Sequence, residues 1–142
     1  MKKILALAAT LAMAAMASAA TIDGGFFTAE APSEGWTMRA DGENSAALVS
    51  PDKAIVFTVT KMPAAGTPLK DAAARMAEAH GSEDLVRMEG EGEAWEYTGA
   101  ADGQPLYAQV VDLGGGVYGC ITIVGDHESD VATDVFNSIA FK

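Results

Sequence analysis

The sequence predicts an α+β domain in which a central antiparallel β-sheet is flanked by two helices. Short runs of β-branched and aromatic residues alternate with turns that contain glycine, which is typical of strands joined as antiparallel hairpins. Two longer segments instead repeat their apolar residues at helical spacing. Each of these segments presents one apolar stripe, and that stripe has to pack against the sheet.

Three strands are predicted before the first helix. Residues 54–60 give the strongest strand signal, because they are rich in isoleucine, valine, phenylalanine and threonine. Apolar and polar residues alternate over 36–39, which predicts a half-buried strand, and a short strand is expected at 46–50 after an Asp-Gly turn. Residues 21–33 are predicted to form a short edge strand or an ordered tail anchored by two phenylalanines.

The first helix is expected to have Thr67 as its N-cap, Pro68 as its first residue and Gly81 just after its end. Its apolar stripe contains Leu69, Ala72, Ala73, Met76, Ala77 and His80. The second helix is expected to start within residues 126–129. Its stripe contains Val131, Val135, Phe136 and Ile139.

Between the helices the sequence predicts a meander of four strands at 84–88, 93–98, 106–112 and 117–124. The glycines at 114–116 resemble a phosphate-binding loop. Such a loop needs a helix directly after it, whereas a strand follows here, so we predict a hairpin turn.

Residues 1–20 have the pattern of a bacterial secretory signal peptide. Lys2 and Lys3 precede an apolar stretch at 4–17, and small residues follow it, which fits cleavage after Ala19 or Ala20. The apolar stretch is shorter than the roughly 20 residues that a transmembrane helix needs. We therefore expect an exported chain without membrane insertion after cleavage. The periplasm is the expected location, secretion is the alternative, and residues 21–142 are expected to be one domain.

The charge of the chain excludes nucleic acid as an expected partner. The formal net charge is −11, and loss of the two signal lysines makes the exported chain more negative still. Such a surface repels phosphate backbones. Cys120 is the single cysteine, so no internal disulfide is expected. It lies in a strand-like run without a cationic neighbour, which favours a buried packing role over a reactive thiol.

No catalytic, cofactor-binding or metal-ligating residue is assigned from the sequence, and no cofactor is expected. The acids at 126–130 begin like a calcium loop, but Val131 stands where a glycine is required. The glutamates at 89–93 favour a solvated hairpin tip over a weak cation site. His80 and His127 lack a second ligand at zinc spacing, and no Gly-x-Ser-x-Gly motif is present.

Trp95 and Tyr97 share one face of a predicted strand, and alternation places Ala94 and Glu96 on the other face. Packing of the two aromatic side chains in the core is the favoured interpretation. An exposed aromatic patch for a partner or an apolar ligand is the alternative.

Gly35-Trp36 and Ser138-Ile139-Ala140-Phe141 are two short motifs near the two ends of the predicted domain. They resemble the start of the first strand and the ending of the domain in the PsbP-like superfamily, which includes DcrB-like bacterial envelope proteins. The resemblance spans residues 26–142. It implies an α/β/α sandwich around a central antiparallel sheet and an accessory or binding role, and it supplies no catalytic motif.

We therefore expect an exported, non-catalytic accessory or binding protein with an unidentified protein partner or small ligand. One alternative is a small periplasmic hydrolase that uses dispersed carboxylates and a histidine. The other is a weak divalent-cation binder that uses the glutamates at 89–93.

Overall fold

The structure is a computed structural model and describes residues 20–142; the predicted signal peptide, apart from Ala20, lies outside the described residues. The described part contains ten strands and two helices. In chain order they are β1 (Ala20–Asp23), β2 (Phe27–Ala31), β3 (Thr37–Ala40), β4 (Ser45–Val49), β5 (Ile55–Pro63), α1 (Leu69–Ala79), β6 (Val86–Arg87), β7 (Ala94–Ala101), β8 (Gln104–Gly114), β9 (Val117–Gly125), α2 (Asp130–Ser138) and β10 (Ala140–Phe141). The predicted α+β class is confirmed.

The strands form two antiparallel sheets. Seven strands pair in the order β3-β4-β5-β9-β8-β7-β6, and β1, β2 and β10 form a separate three-stranded sheet. The prediction of one edge strand or tail at 21–33 is therefore wrong, because this segment is a complete hairpin. Its turn is closed by Asp23, whose Oδ1 accepts from the Gly25 amide at 2.9 Å, while Gly25 has a φ of 90° that suits glycine.

The two helices lie on opposite faces of the seven-stranded sheet. Helix α1 packs Leu69 and Ala73 against a cluster that includes Cys120 of β9. Helix α2 packs with the small sheet in a cluster that includes Ile121, the next residue of β9. Because neighbouring residues of a strand point to opposite faces, the two clusters are on opposite sides of the sheet.

Helix α1 begins one residue later than the capping prediction requires. Pro68 is the N-cap, has an extended backbone, and makes no side-chain capping hydrogen bond. Its carbonyl accepts from the amides of Asp71 and Ala72, so Thr67 lies too early in the chain to cap. The predicted end is confirmed, because Gly81 has a φ of 70° and the Ser82 amide donates to the Ala77 carbonyl.

Helix α2 has a different apolar stripe from the predicted one. Val131 is 43% exposed, whereas Ala132 is fully buried beside Val135 and Phe136. Residues at 132, 135, 136 and 139 follow the spacing of one helical face, and that face contacts the core. Ser129 fixes this register as the N-cap, since its side chain accepts from the Ala132 amide at 3.2 Å.

Three further predictions differ from the structure. Every residue of β3 is exposed instead of half-buried, because β3 is the outermost strand at one edge of the sheet. The strand predicted at 84–88 shortens to β6 at the other edge. The last residues, predicted only to follow the helix, add β10 to β2. Neither helix within residues 20–142 has the length and apolar content needed to cross a bilayer.

Candidate functional site

The apolar cover on the α2 side ends before it reaches the edge of the seven-stranded sheet. One row of directly paired residues crosses five strands on this side, from β5 to β6. Its members and their exposures are Val59 0%, Ile121 1%, Gln109 1%, Glu96 9% and Val86 47%. The row changes from apolar to polar at β8 and β7. We call this side of β6, β7 and β8 the open face.

Three side chains of the open face hold one another in place. The Tyr107 hydroxyl donates to Glu96 Oε1 at 2.6 Å, and Gln109 Nε2 donates to the same hydroxyl oxygen at 3.2 Å. The Tyr107 ring meets Phe136 of α2 edge-on, with ring centroids 5.8 Å apart. The carboxyl group of Glu96 is therefore fixed by a phenol that is itself anchored in the core.

A small pocket of about 170 Å³ lies beside Glu96. His127 and Glu128 reach it from the loop between β9 and α2, and the His127 ring lies 6.0 Å from the Tyr107 ring, centroid to centroid. Gly125 starts this loop with a φ of 108°, and a Cβ there would collide with the Ala54 carbonyl oxygen. The tight approach of Gly125 to β5 thus directs the loop toward the pocket.

A larger groove of about 610 Å³ lies on the same face, on the Gln109 side. Its apolar lining comes from Met88, Ala94, Val111, Leu113 and Phe141, and its charged rim comes from Glu89, Glu91 and Lys142. The ring of Phe141 lies over Gly119, where a Cβ would stand 2.7 Å from the ring. Absence of a side chain at Gly119 therefore allows the C-terminal strand to form one wall of the groove.

Asp84 also lines the small pocket, but its carboxylate is occupied by the protein. The Ser82 hydroxyl donates to Oδ1 at 2.6 Å, and Thr98 donates its hydroxyl to Oδ2 and its amide to Oδ1. The hydrogen bonds from Ser82 and then from Thr98 hold the pKa of Asp84 below its usual value. Asp84 closes the outer edge of β7 beyond the short β6, which is a structural role.

The two histidines lie on opposite faces of the sheet. His80 Nδ1 is 2.7 Å from the Tyr97 hydroxyl on the α1 side, whereas His127 accompanies Tyr107 on the open face. Tyr97 is 1% exposed, so the favoured packing interpretation is confirmed, and burial raises its pKa. Trp95 is half-buried on the same side beneath Lys70, whose Nζ lies 5.6 Å from the ring centroid.

The other sequence features lie where they were predicted. Cys120 is buried, and burial raises the pKa of its thiol to about 12, so the packing role is confirmed. The glycines at 114–116 connect β8 to β9 as a hairpin turn. Residues 89–92 are exposed between β6 and β7, as predicted for a solvated tip.

Within residues 20–142, no three histidine, cysteine, aspartate or glutamate side chains are grouped closely enough to hold a metal ion.

Local sequence patterns do not identify Glu96, Tyr107 and Gln109 as a group. The available signal was the alternation that places Glu96 opposite the Trp95 and Tyr97 face in a strand otherwise suited to burial. Strand pairing was the missing information, because it alone brings β7 beside β8 in a register where Glu96 faces Gln109.

Comparison with known proteins leaves the family undetermined. No family model and no curated protein matches the chain. A crystal structure of a protein from Bacteroides thetaiotaomicron VPI-5482 is similar to it, with 20% sequence identity and a TM-score of 0.49. That alignment covers 84% of this chain and 46% of the Bacteroides protein, so the chain spans just under half of that protein's length. The function therefore has to be inferred from the open face itself.

Proposed function

We propose that this chain is an exported, periplasmic, non-catalytic binding protein whose open face holds a small ligand. The observation that supports this proposal is the end of the apolar cover at β8, next to a pocket and a groove that share one face. Binding sites combine an apolar lining with a few fixed polar groups. The open face has that combination in Met88, Val111 and Phe141 on one side and Glu96 on the other.

The arrangement favours binding over hydrolysis. A hydrolase of the expected kind would need His127 next to a carboxyl group that is free to exchange a proton. Two of the three carboxyl groups in this pocket are held by the protein's own donors. Asp84 accepts hydrogen bonds from Ser82 and Thr98, which lower its pKa, and Glu96 accepts one from Tyr107. His80 is on the opposite face of the sheet and cannot supply a second group to this pocket.

The PsbP-like sandwich is the second part of the proposal. Helices on opposite faces of one antiparallel sheet agree with the layers that this resemblance implies. The separate sheet of β1, β2 and β10 is an addition to those layers, and it lies on the α2 side through Phe27 and Ala29. An experimental structure in which both helices packed on one face would contradict this assignment.

The binding function is tested by nuclear magnetic resonance of the isotope-labelled protein, mixed with small amines, carboxylates, sugars, nucleosides and short peptides. We expect amide shifts to change for at least one class at Glu96, Gln109 and Met88, with no new product signals from the added compound. Shifts confined to the α1 side, or conversion of any compound, would contradict the proposal.

Export is tested separately by cell fractionation and sequencing of the N-terminus of the mature protein. We expect the protein in the periplasmic fraction, with a chain that starts at Ala20 or Thr21. Recovery in the cytoplasm with an intact N-terminus would contradict export.

A further inference from the structure

We propose that the ligand of the open face is an organic cation with an apolar chain, which deepens the proposed function and rests on it. Its ammonium group lies in the small pocket against Glu96, and its hydrocarbon part lies in the groove between Met88 and Phe141. Charge, hydrogen-bond geometry and the position of the groove lead separately to this assignment.

Charge on the open face selects a cation. The small pocket contains carboxyl groups of Asp84, Glu96 and Glu128 and one imidazole. Two more acidic residues, Glu89 and Glu91, and one lysine, Lys142, line the groove. The ammonium group of that lysine lies 2.9 Å from Asp23 Oδ1 and is therefore already paired. An anionic ligand would be repelled by this surface, and a cation is attracted to it.

Glu96 offers the ligand a fixed acceptor. Tyr107 donates to Oε1, and the residue lines the pocket although it is only 9% exposed. The Tyr107 hydroxyl bonds Oε1 and not Oε2. Among residues 20–142 no side-chain oxygen or nitrogen is both buried and without a hydrogen-bond partner, so Oε2 is accessible from the pocket. An N–H donor of an ammonium group at Oε2 forms a charge-assisted hydrogen bond of about 2.7–2.9 Å.

The acidic groups are too dispersed to chelate a metal ion. No three of the candidate ligands in residues 20–142 form a metal-binding group. Inner-sphere calcium coordination needs six to eight oxygens at about 2.3–2.6 Å. An ammonium group instead needs one acceptor in contact and a negative surrounding, which Glu96 and Glu128 supply.

The groove lies where the rest of such a ligand has to go. Gln109 in the groove pairs directly with Glu96 in the small pocket, and directly opposed residues have Cβ atoms about 4.5–5.5 Å apart. The pocket and the groove therefore lie on either side of this one residue pair. Met88 is a flexible side chain that adapts to an apolar chain of varied shape.

The test is calorimetric titration of the purified protein with octylammonium and three comparison compounds. We expect octylammonium to bind, octanol to bind at least tenfold more weakly because it lacks the charge, and octanoate not to bind. Butylammonium is expected to lose roughly fourfold in affinity for each methylene removed, because less apolar surface enters the groove.

Variants then locate each part of the ligand. Glu96→Gln should weaken octylammonium binding roughly tenfold, whereas Glu43→Gln removes the same charge at an exposed turn and should leave it within twofold. Met88→Ala should weaken octylammonium binding more than butylammonium binding, and Met38→Ala should affect neither. If Glu96→Gln fails to fold, Glu128→Gln replaces it, with an expected loss of roughly threefold at this exposed position.

Failure of this inference is distinguishable from failure of the binding function. Octanol or octanoate binding the open face as tightly as octylammonium would overturn the cation assignment and leave a binding face in place. Equal effects of Glu96→Gln and Glu43→Gln would overturn the placement of the head group. Resonance shifts confined to the α1 side for every compound would overturn both proposals.

Discussion

The hydrogen bonds of Tyr107 give the sharpest stability prediction. Tyr107→Phe removes the hydroxyl that donates to Glu96 Oε1 at 2.6 Å and accepts from Gln109 Nε2 at 3.2 Å. A hydrogen bond to a charged acceptor contributes about 1.5–3 kcal/mol, and a neutral one contributes about 1 kcal/mol. We therefore expect the variant to lose about 2–4 kcal/mol in its free energy of unfolding.

Tyr118→Phe is the matched control. Tyr118 is 8% exposed and Tyr107 is 4% exposed, and both lie in the central strands of the same sheet. The Tyr118 hydroxyl donates to a single neutral acceptor, the Thr67 carbonyl oxygen, at 2.5 Å. Its removal is expected to cost about 1 kcal/mol.

The assay is urea unfolding at neutral pH, followed by circular dichroism, for both variants, for Glu96→Gln and for the Tyr107→Phe/Glu96→Gln pair. Glutamine at position 96 still offers a neutral oxygen to the Tyr107 hydroxyl. The coupling free energy between the two substitutions therefore measures how much the negative charge of Glu96 strengthens that hydrogen bond, which we expect to be about 1 kcal/mol. An unchanged dependence on urea shows that the denatured state is comparable. A Tyr107→Phe loss no larger than that of Tyr118→Phe, with negligible coupling, would refute a fixed carboxylate on the open face.

Three further predictions concern residues outside the hydrogen-bonded group of Glu96, Tyr107 and Gln109. Burial raises the pKa of Cys120 to about 12, so the thiol stays neutral at pH 8 and should react with a disulfide reagent only after denaturant is added; rapid labelling of the native protein would contradict this. The hydrogen bonds to Asp84 lower its pKa in the folded state. Its contribution to stability is therefore complete at a pH above the pKa that Asp84 has in the unfolded chain, and it is lost as the pH falls through the pKa of the folded state. Asp84→Asn should therefore reduce stability at neutral pH, with the difference from wild type closing in acid, and a difference independent of pH in urea titrations would argue against the contacts with Thr98. Ser129→Ala should cost about 1 kcal/mol as a lost N-cap, whereas Thr67→Ala should cost less than half of that; equal thermal midpoints would contradict the assigned caps.

Local sequence patterns were sufficient to predict most strands and both helices, because β-branched runs and helical apolar stripes involve only residues that are close together in the sequence. They were insufficient where tertiary contact decides. Val131 and Ala132 are both compatible with the stripe of α2, and only packing in the core cluster selects the smaller residue for the buried position. The two-residue strand β10 has no periodicity to detect, and its existence depends on β2.

The candidate site was less predictable than the fold, for the same physical reason. Glu96 and Gln109 are 13 positions apart in the sequence, and each alone resembles an ordinary polar residue of a strand. The register between β7 and β8 makes them direct neighbours, and the hydroxyl of Tyr107 from the adjacent position joins them. A hydrogen-bonded polar group of this kind is a property of pairing, which local periodicity does not encode.

The open face follows from the dimensions of the layers. Six strand spacings of about 4.8 Å make the seven-stranded sheet roughly 29 Å wide. Helix α2 is about 10 Å across, and a three-stranded sheet spans two spacings, about 10 Å. Together they span roughly two thirds of that width, and beyond them the row of paired residues goes from buried Gln109 and Glu96 to exposed Val86. An apolar surface there would be a site of aggregation, so the sequence places hydrogen-bonded Gln109 and Glu96 at the margin of the cover. Polar residues beside an apolar groove keep the protein soluble. The same arrangement suits the proposed ligand, an organic cation with an apolar chain.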